Sequence, residues 1–210
     1  MDNRYVNRAK ISEAKFRQLV RYFALDLTAT QMAELSNLNR NTVNRYLNGI
    51  RERVAEYCNV LRPVTLRGYT EVYAPDAAQT RLLGILEDGG TIYTVQFGNT
   101  EAGKIQRLLE SGLPRDGVGA SLPGIDMIVE LGSRRRIRLC GEGAGKQEAR
   151  TKINRIESFI GYSQSRLEKF KGIHNSTYTL HLKECELRYN HKSEELYPLI
   201  LKIIRNKPLF

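Results

Sequence analysis

Residues 28–50, TATQMAELSNLNRNTVNRYLNGI, carry the pattern of two helices joined by a tight turn, and they constrain the chain more than any other stretch. Met32 and Leu35 supply an apolar face for the first helix, and the small Ala33 allows a close crossing. Leu38 follows in the turn. Val43, Leu47 and Ile50 recur at i, i+4 and i+7, the spacing of one face of a second helix. Asn37 stands where the turn needs a residue that tolerates positive φ. Asn39 is placed to cap the second helix. The outward positions of that helix are then Arg40, Asn41, Thr42, Asn44, Arg45, Asn48 and Arg51. Guanidinium, amide and hydroxyl groups in one row are the side chains that bond to base edges and phosphates.

The expectation is a helix-turn-helix that binds double-stranded DNA. Arg40, Asn41, Asn44, Arg45 and Asn48 are the candidates for base contacts, with Thr42 beside them and Arg51 and Arg53 on phosphates. Upstream, 12–25 reads as a helix capped by Ser12, with Phe16, Leu19, Val20 and Phe23 as its apolar stripe. The three helices make a head of the kind that docks in a major groove. The last of them continues through Arg53, Val54 and Tyr57 and ends before Pro63. A short hinge at 61–66 follows.

Charge supports a nucleic-acid partner. Residues 1–67 hold 12 Lys/Arg against 6 Asp/Glu, a balance of +6. Residues 68–150 balance at −1, and residues 151–210 at +5. The basic excess flanks a neutral middle, which suits an elongated footprint on nucleic acid, although a solvated basic surface has the same composition. No apolar run approaches the ~18 residues of a membrane span, and the stretch MDNRYVNRAK has no apolar signal core. Cys58, Cys140 and Cys185 are odd in number and far apart, with no CxxC pair, so neither a disulfide framework nor a zinc knuckle is indicated. The expected location is the bacterial cytoplasm, on the nucleoid when DNA is bound.

Beyond the hinge the pattern changes to strands. Residues 68–73 alternate weakly, and 81–86 and 91–97 flank Glu87-Asp88-Gly89-Gly90, a hairpin turn. Residues 100–111 read as a helix ended by Gly112-Leu113-Pro114. A poor strand at 116–124 and a further one at 136–139 follow. Three helices close the chain: 148–170 with Ile153, Ile156, Phe159 and Ile160 on one face, then 178–189 and 193–206. Three strands, helix, strand, strand and helices is an α/β order that fits an RNase H-like core, with antiparallel strands followed by parallel ones. The expected domains are a helix-turn-helix head at 1–66 and an RNase H-like mixed-sheet domain with C-terminal helices at 67–210.

The final third carries three runs: Ile153-Asn154-Arg155-Ile156-Glu157-Ser158-Phe159-Ile160, then Lys169-Phe170-Lys171-Gly172-Ile173, then Leu182-Lys183-Glu184-Cys185-Glu186-Leu187-Arg188-Tyr189-Asn190. They resemble the closing segment of small bacterial insertion-sequence transposases with an RNase H-like core, whose pattern is I-N-G-I-E-x-F-W, K-F-x-G-I and L-K-E-C-E-x-R-x-N. The resemblance spans nearly the whole chain in order and is strong at its two ends. It implies DNA transposition, a homo-oligomer of two or more copies, and two metal ions held by acids. Mg²⁺ requires carboxylate oxygen at those positions.

The middle departs from that pattern. The first acid belongs in a D-E-S run, and 68–74, GYTEVYA, has no Asp. The second falls by counting near Leu122. The third survives as Asn154 and Glu157, with Arg155 in place of Gly and Ile160 in place of Trp. Two readings stand. Either the cutting site is lost, leaving a sequence-directed DNA-binding protein without a cofactor, or Asp76 and Asp126 serve with Glu157 on Mg²⁺ in an active transposase. A third role is a module for oligomerisation or partner binding without DNA, to which an exposed Ile160 would contribute.

Arg134-Arg135-Arg136 with Arg138 form a basic cluster that adds phosphate contacts or merely solvates a turn. Gly141-Glu142-Gly143-Ala144-Gly145-Lys146 lacks phosphate-loop spacing, because Gln147 stands where a hydroxyl is needed. His181 and Cys185 share a helix face at i, i+4, a legal ligand spacing. With no second pair, they read as a hydrogen-bonded histidine and a buried thiol. His174, His181 and His191 assemble no catalytic constellation.

Overall fold

The computed structural model describes residues 3–67, 82–97, 103, 105, 122, 124–130, 136–139, 146–170, 173, 175–191 and 193–210. They form an α/β protein of two compact units, one made of residues 1–60 with 187–210, the other of residues 61–186. Among the described residues no helix is long and apolar enough to cross a membrane.

The first unit is helical. Helix α1 (Glu13–Ala24) starts where the Ser12 side chain accepts from the Lys15 N–H, and Phe16, Leu19, Val20 and Phe23 are its buried stripe. Helix α2 (Ala29–Ser36) and helix α3 (Arg40–Leu61) follow. Met32 of α2 and Val43, Leu47, Ile50 and Val54 of α3 join the same core. Leu35, expected on the apolar face of α2, is 57% exposed, because the helix turns Ala29, Met32, Ala33 and Ser36 to the core instead.

The helical unit also takes in residues 187–210. Leu196, Ile200 and Ile204 of a late helix, here α7 (Ser193–Asn206), pack into the head's core. Their i, i+4, i+8 stripe needs an apolar partner, and α7 finds it along α1. The last turn of helix α6 (Asn175–Asn190) belongs here too. Arg188 donates from Nη1 to the Ala24 carbonyl at 3.1 Å and from Nη2 to the Phe23 carbonyl. Its guanidinium satisfies the last carbonyls of α1, where the helix dipole favours a cation. Arg188→Ala is expected to cost about 1.5–3 kcal/mol, read as a lower urea midpoint. An unchanged midpoint would show that solvent replaces the guanidinium without loss.

Arg4 ties the chain ahead of α1 to its first turn, with Nη2 2.8 Å from Glu13 Oε1. The Arg4 hydrogen bond holds the Glu13 carboxyl down at about 2. A lowered carboxylate contributes above its ordinary value and loses that contribution as the pH falls through its folded value. Arg4→Ala should therefore raise the Glu13 carboxyl towards the usual range in an NMR titration, with Arg17, 3.2 Å away, still holding part of the shift; a Glu13 that stays near 2 would assign the effect elsewhere.

The second unit holds a four-stranded sheet in the order β2-β1-β3-β4, made of β1 (Leu82–Asp88), β2 (Thr91–Gln96), β3 (Met127–Glu130) and β4 (Arg136–Arg138). Gly89 and Gly90, at φ +56° and +88°, make the β1–β2 turn, whose mirror-image geometry only such residues adopt easily. A Cβ on Gly84 would lie 2.7 Å from the Phe97 ring and 2.8 Å from Ile125, so this central strand needs glycine where two side chains close over it. The sequence reading anticipates β1, β2 and β4 but not β3, a four-residue run too short for its alternation to register. It also expects parallel strands, whereas all three described pairings are antiparallel.

One sheet face packs Leu82, Leu86, Val95, Phe97 and Ile128 against Leu66, Ile105, Leu122 and Ile125. Leu66 lies in the short helix α4 (Val64–Arg67). Helix α5 (Lys146–Glu168) packs on β1 and buries Ile156, Phe159 and Ile160. Ile160, 3% exposed, thus offers no surface to a second copy. On α6, Lys183 and Glu186 are both buried. Glu186 accepts from the Thr94 N–H at 3.0 Å, and Lys183 Nζ donates to Glu186 at 2.9 Å and to the Thr94 carbonyl at 2.6 Å. Thr179 donates to Gln96 beside them, and Arg166 of α5 pairs with Glu184. The expected strand at 68–73, most of the expected helix at 100–111 and the glycine-rich loop at 141–145 lie outside the described residues.

Candidate nucleic-acid interface

The α2–turn–α3 segment is specified almost residue by residue. Thr28 and Gln31 form a reciprocal cap on α2: the Thr28 hydroxyl accepts from the Gln31 N–H, and the Gln31 side chain accepts from the Thr28 N–H at 2.9 Å. Asn37 ends α2 in the left-handed region, φ 54° and ψ 41°, as its position predicts. The Leu38 N–H then reaches back to the Ala33 carbonyl at 3.1 Å. Asn39 caps α3, its Oδ1 accepting from the Asn41 N–H at 2.8 Å. Three residues thus turn the chain between the helices, and the caps satisfy backbone groups that would otherwise need water.

The first two turns of α3 set the surface. Arg40, Asn41 and Arg45 are exposed, and Thr42, Asn44 and Asn48 are half-buried. Val43, Tyr46 and Leu47 face inward, so the six polar residues share the side away from the core.

Two arginines expected on phosphates do other work. Arg51 is buried at 6% exposure, with Nη1 3.5 Å from Asn48 Oδ1 and its guanidinium 5.8 Å from the centre of the Phe23 ring. Helical spacing puts residue 51 one turn past Leu47, on the rim of the core, where an aromatic ring covers the cation. Arg53 donates to the Lys207 carbonyl at 3.0 Å and the Pro208 carbonyl at 3.2 Å, and pairs with Glu56. It anchors the segment after α7. A sequence has no signal for this, since the partners lie about 150 residues away.

That segment reaches α3. Leu209 bridges Val6, and a Cβ on Gly49 would lie 3.3 Å from Leu209 and 3.4 Å from Phe210. Glycine inside a helix costs about 1 kcal/mol relative to alanine, and here it makes room for residues 209 and 210. The Arg45 guanidinium stands 4.4 Å from the centre of the Phe210 ring. Asn7, Arg8 and Phe210, which sequence reasoning passed over, therefore lie beside a predicted base-contact residue.

Of the acids proposed for metal chemistry, the described Asp126 and Glu157 are each engaged elsewhere. Glu157 on α5 accepts from Arg136 and lies 3.7 Å from Arg138 Nη2. Arg136, expected on DNA, is exposed and pairs with Glu157. Asp126 Oδ2 accepts from the Glu87 N–H at 2.8 Å, and its backbone bonds to both Ile85 and Leu139, which makes it a staple between strands. Asn154 is exposed on α5. Leu122, at the counted position of the second acid, is buried in an apolar cluster. Asp76, Arg134 and Arg135 lie outside the described residues. Among the described residues no group of three or more His, Cys, Asp or Glu is arranged to hold a metal ion. Cys185 is fully buried, 3.6 Å from Arg166 Nη1, and His181 packs 5.0 Å from the Phe170 ring centre.

No family model matches the chain, and no curated protein or solved structure is significantly similar to it.

Proposed function

We propose that the protein is a sequence-directed binder of double-stranded DNA, acting through a helix-turn-helix whose second helix, α3, lies in the major groove. The observation that carries this is the capped three-residue turn at Asn37–Asn39, which presents Arg40, Asn41, Asn44, Arg45 and Asn48 on the side of α3 away from the core. Arginine bonds guanine O6 and N7 in a bidentate fork, and asparagine bonds adenine N6 and N7. A net charge of +10 adds long-range attraction to phosphate.

The sequence motifs of the final third favour descent from an insertion-sequence transposase with an RNase H-like core, assembled as a homo-oligomer. We read the cutting function as lost. Glu157 is engaged by Arg136 and Arg138, and an apolar residue occupies the counted place of the second acid. In support of a parallel RNase H-like arrangement the described strands offer nothing, and the antiparallel β1–β3 pair weighs against it.

Fluorescence anisotropy with labelled duplexes at several salt concentrations tests the binding. Salt-sensitive binding that discriminates between sequences, and weakens with Arg45→Ala, is expected. Equal affinity for all duplexes, unchanged by Arg45→Ala, would remove α3 from any recognition role.

A further inference from the structure

We propose that Asn7, Arg8 and Phe210 form, with Arg45, a second DNA-contact site, a cleft that receives one backbone phosphate and its sugar beside the groove that α3 enters. The proposal rests on the reading of α3 as the recognition helix. The cleft has a volume of about 740 Å³, and among the described residues Asn7, Arg8, Arg45 and Phe210 line it. That is room for a nucleotide unit rather than a bare ion.

Its walls are built, not incidental. The Asn7 N–H donates to the Leu209 carbonyl and the Leu209 N–H to the Tyr5 carbonyl, each at 2.9 Å. Asn7 Nδ2 donates to the Phe210 carbonyl at 2.9 Å. These bonds lock residues 5–7 to residues 209–210. Arg8 follows in the left-handed region at φ 49°, a conformation that an arginine keeps only when its surroundings impose it.

The chemistry fits a phosphodiester. Arg8 and Arg45 are both exposed, none of the described lining side chains is acidic, and the Phe210 backbone oxygen is taken by Asn7 Nδ2. Arg8 supplies the planar fork that matches phosphate oxygens, while Arg45 keeps its own fork for the base edge and adds only its positive charge to that side of the cleft. The Phe210 ring, 47% exposed and stacked with Arg45, gives the sugar an apolar floor and restrains the Arg45 side chain. Because Arg45 lies both on the polar side of α3 and in the cleft, the phosphate would belong to the strand that borders the groove.

The experiment measures duplex affinity against salt for the full chain and for Arg8→Asn, Arg8→Lys and Asn44→Ala. Asparagine tolerates the left-handed backbone, so Arg8→Asn removes the charge without unfolding the turn; thermal melts check this. The slope of log affinity against log salt should fall by about 0.9 in Arg8→Asn, the loss of one phosphate contact. The loss should be equal on preferred and scrambled duplexes, and Arg8→Lys should restore it. If Arg8→Asn keeps the parent slope and affinity while Asn44→Ala weakens the preferred duplex, the cleft is not a DNA site and the reading of α3 stands. If the parent binds no duplex, both readings fall.

Discussion

Lys183→Met is expected to destabilise the second unit by about 3–5 kcal/mol. Lys183 is 1% exposed, and its Nζ lies 2.9 Å from the Glu186 carboxylate and 2.6 Å from the Thr94 carbonyl. Methionine has a similar length and shape, so a cavity contributes little. What is lost is the cation beside a carboxylate that is itself 2% exposed. In that interior neither water nor salt screens the remaining charge, and the Thr94 N–H and hydroxyl alone must satisfy it. Adding Glu186→Gln removes the charge and keeps an acceptor for Thr94, so the double variant should recover part of the loss. Urea unfolding of the parent, the single and the double variants gives the coupling. A double variant no more stable than Lys183→Met would show that the cost is packing rather than charge.

The second large effect is on binding. Arg40→Ala with Arg45→Ala should weaken the preferred duplex by roughly 2–6 kcal/mol, taking about 1–3 for each arginine that grips a guanine. Binding to arbitrary sequences should fall far less, because phosphate contacts elsewhere persist. Both residues are exposed, so the melting temperature should stay near that of the parent. Equal losses on all duplexes would instead place both arginines on phosphates.

Much of the first unit was legible because its signals are local. Ser12, Asn37 and Asn39 are caps whose roles depend on neighbours within four residues, and the stripe of Phe16, Leu19, Val20 and Phe23 needs only helical period. What was missed is long-range. The packing of α7 onto α1, the grip of Arg53 on the carbonyls of residues 207 and 208, and the approach of Phe210 to Arg45 join residues more than 150 positions apart. No periodicity encodes such partners. Gly49 was the one local hint, a glycine inside a helix with no cap or kink to explain it.

In the second unit the hairpin was legible from Gly89-Gly90, and α5 and most of α6 from their spacing. The polar layer was not. Lys183, Glu184 and Glu186 stand in a run that the sequence marks only by its resemblance, yet all three are buried, because the sheet and α5 offer them opposite charges and open backbone groups. The engagement of the acids was illegible for a related reason. Asp126 and Glu157 are available in the sequence, and only the fold commits them to a strand N–H and to two arginines.

The most direct test is selection from a randomised duplex library by the purified full-length protein at near-physiological salt, followed by sequencing of the retained DNA. The predicted result is a narrow enriched motif a few base pairs long, which disappears when Arg40→Ala and Arg45→Ala are combined. Retained DNA with no enriched sequence would contradict the account, since a helix seated in the major groove cannot be indifferent to the base edges it touches.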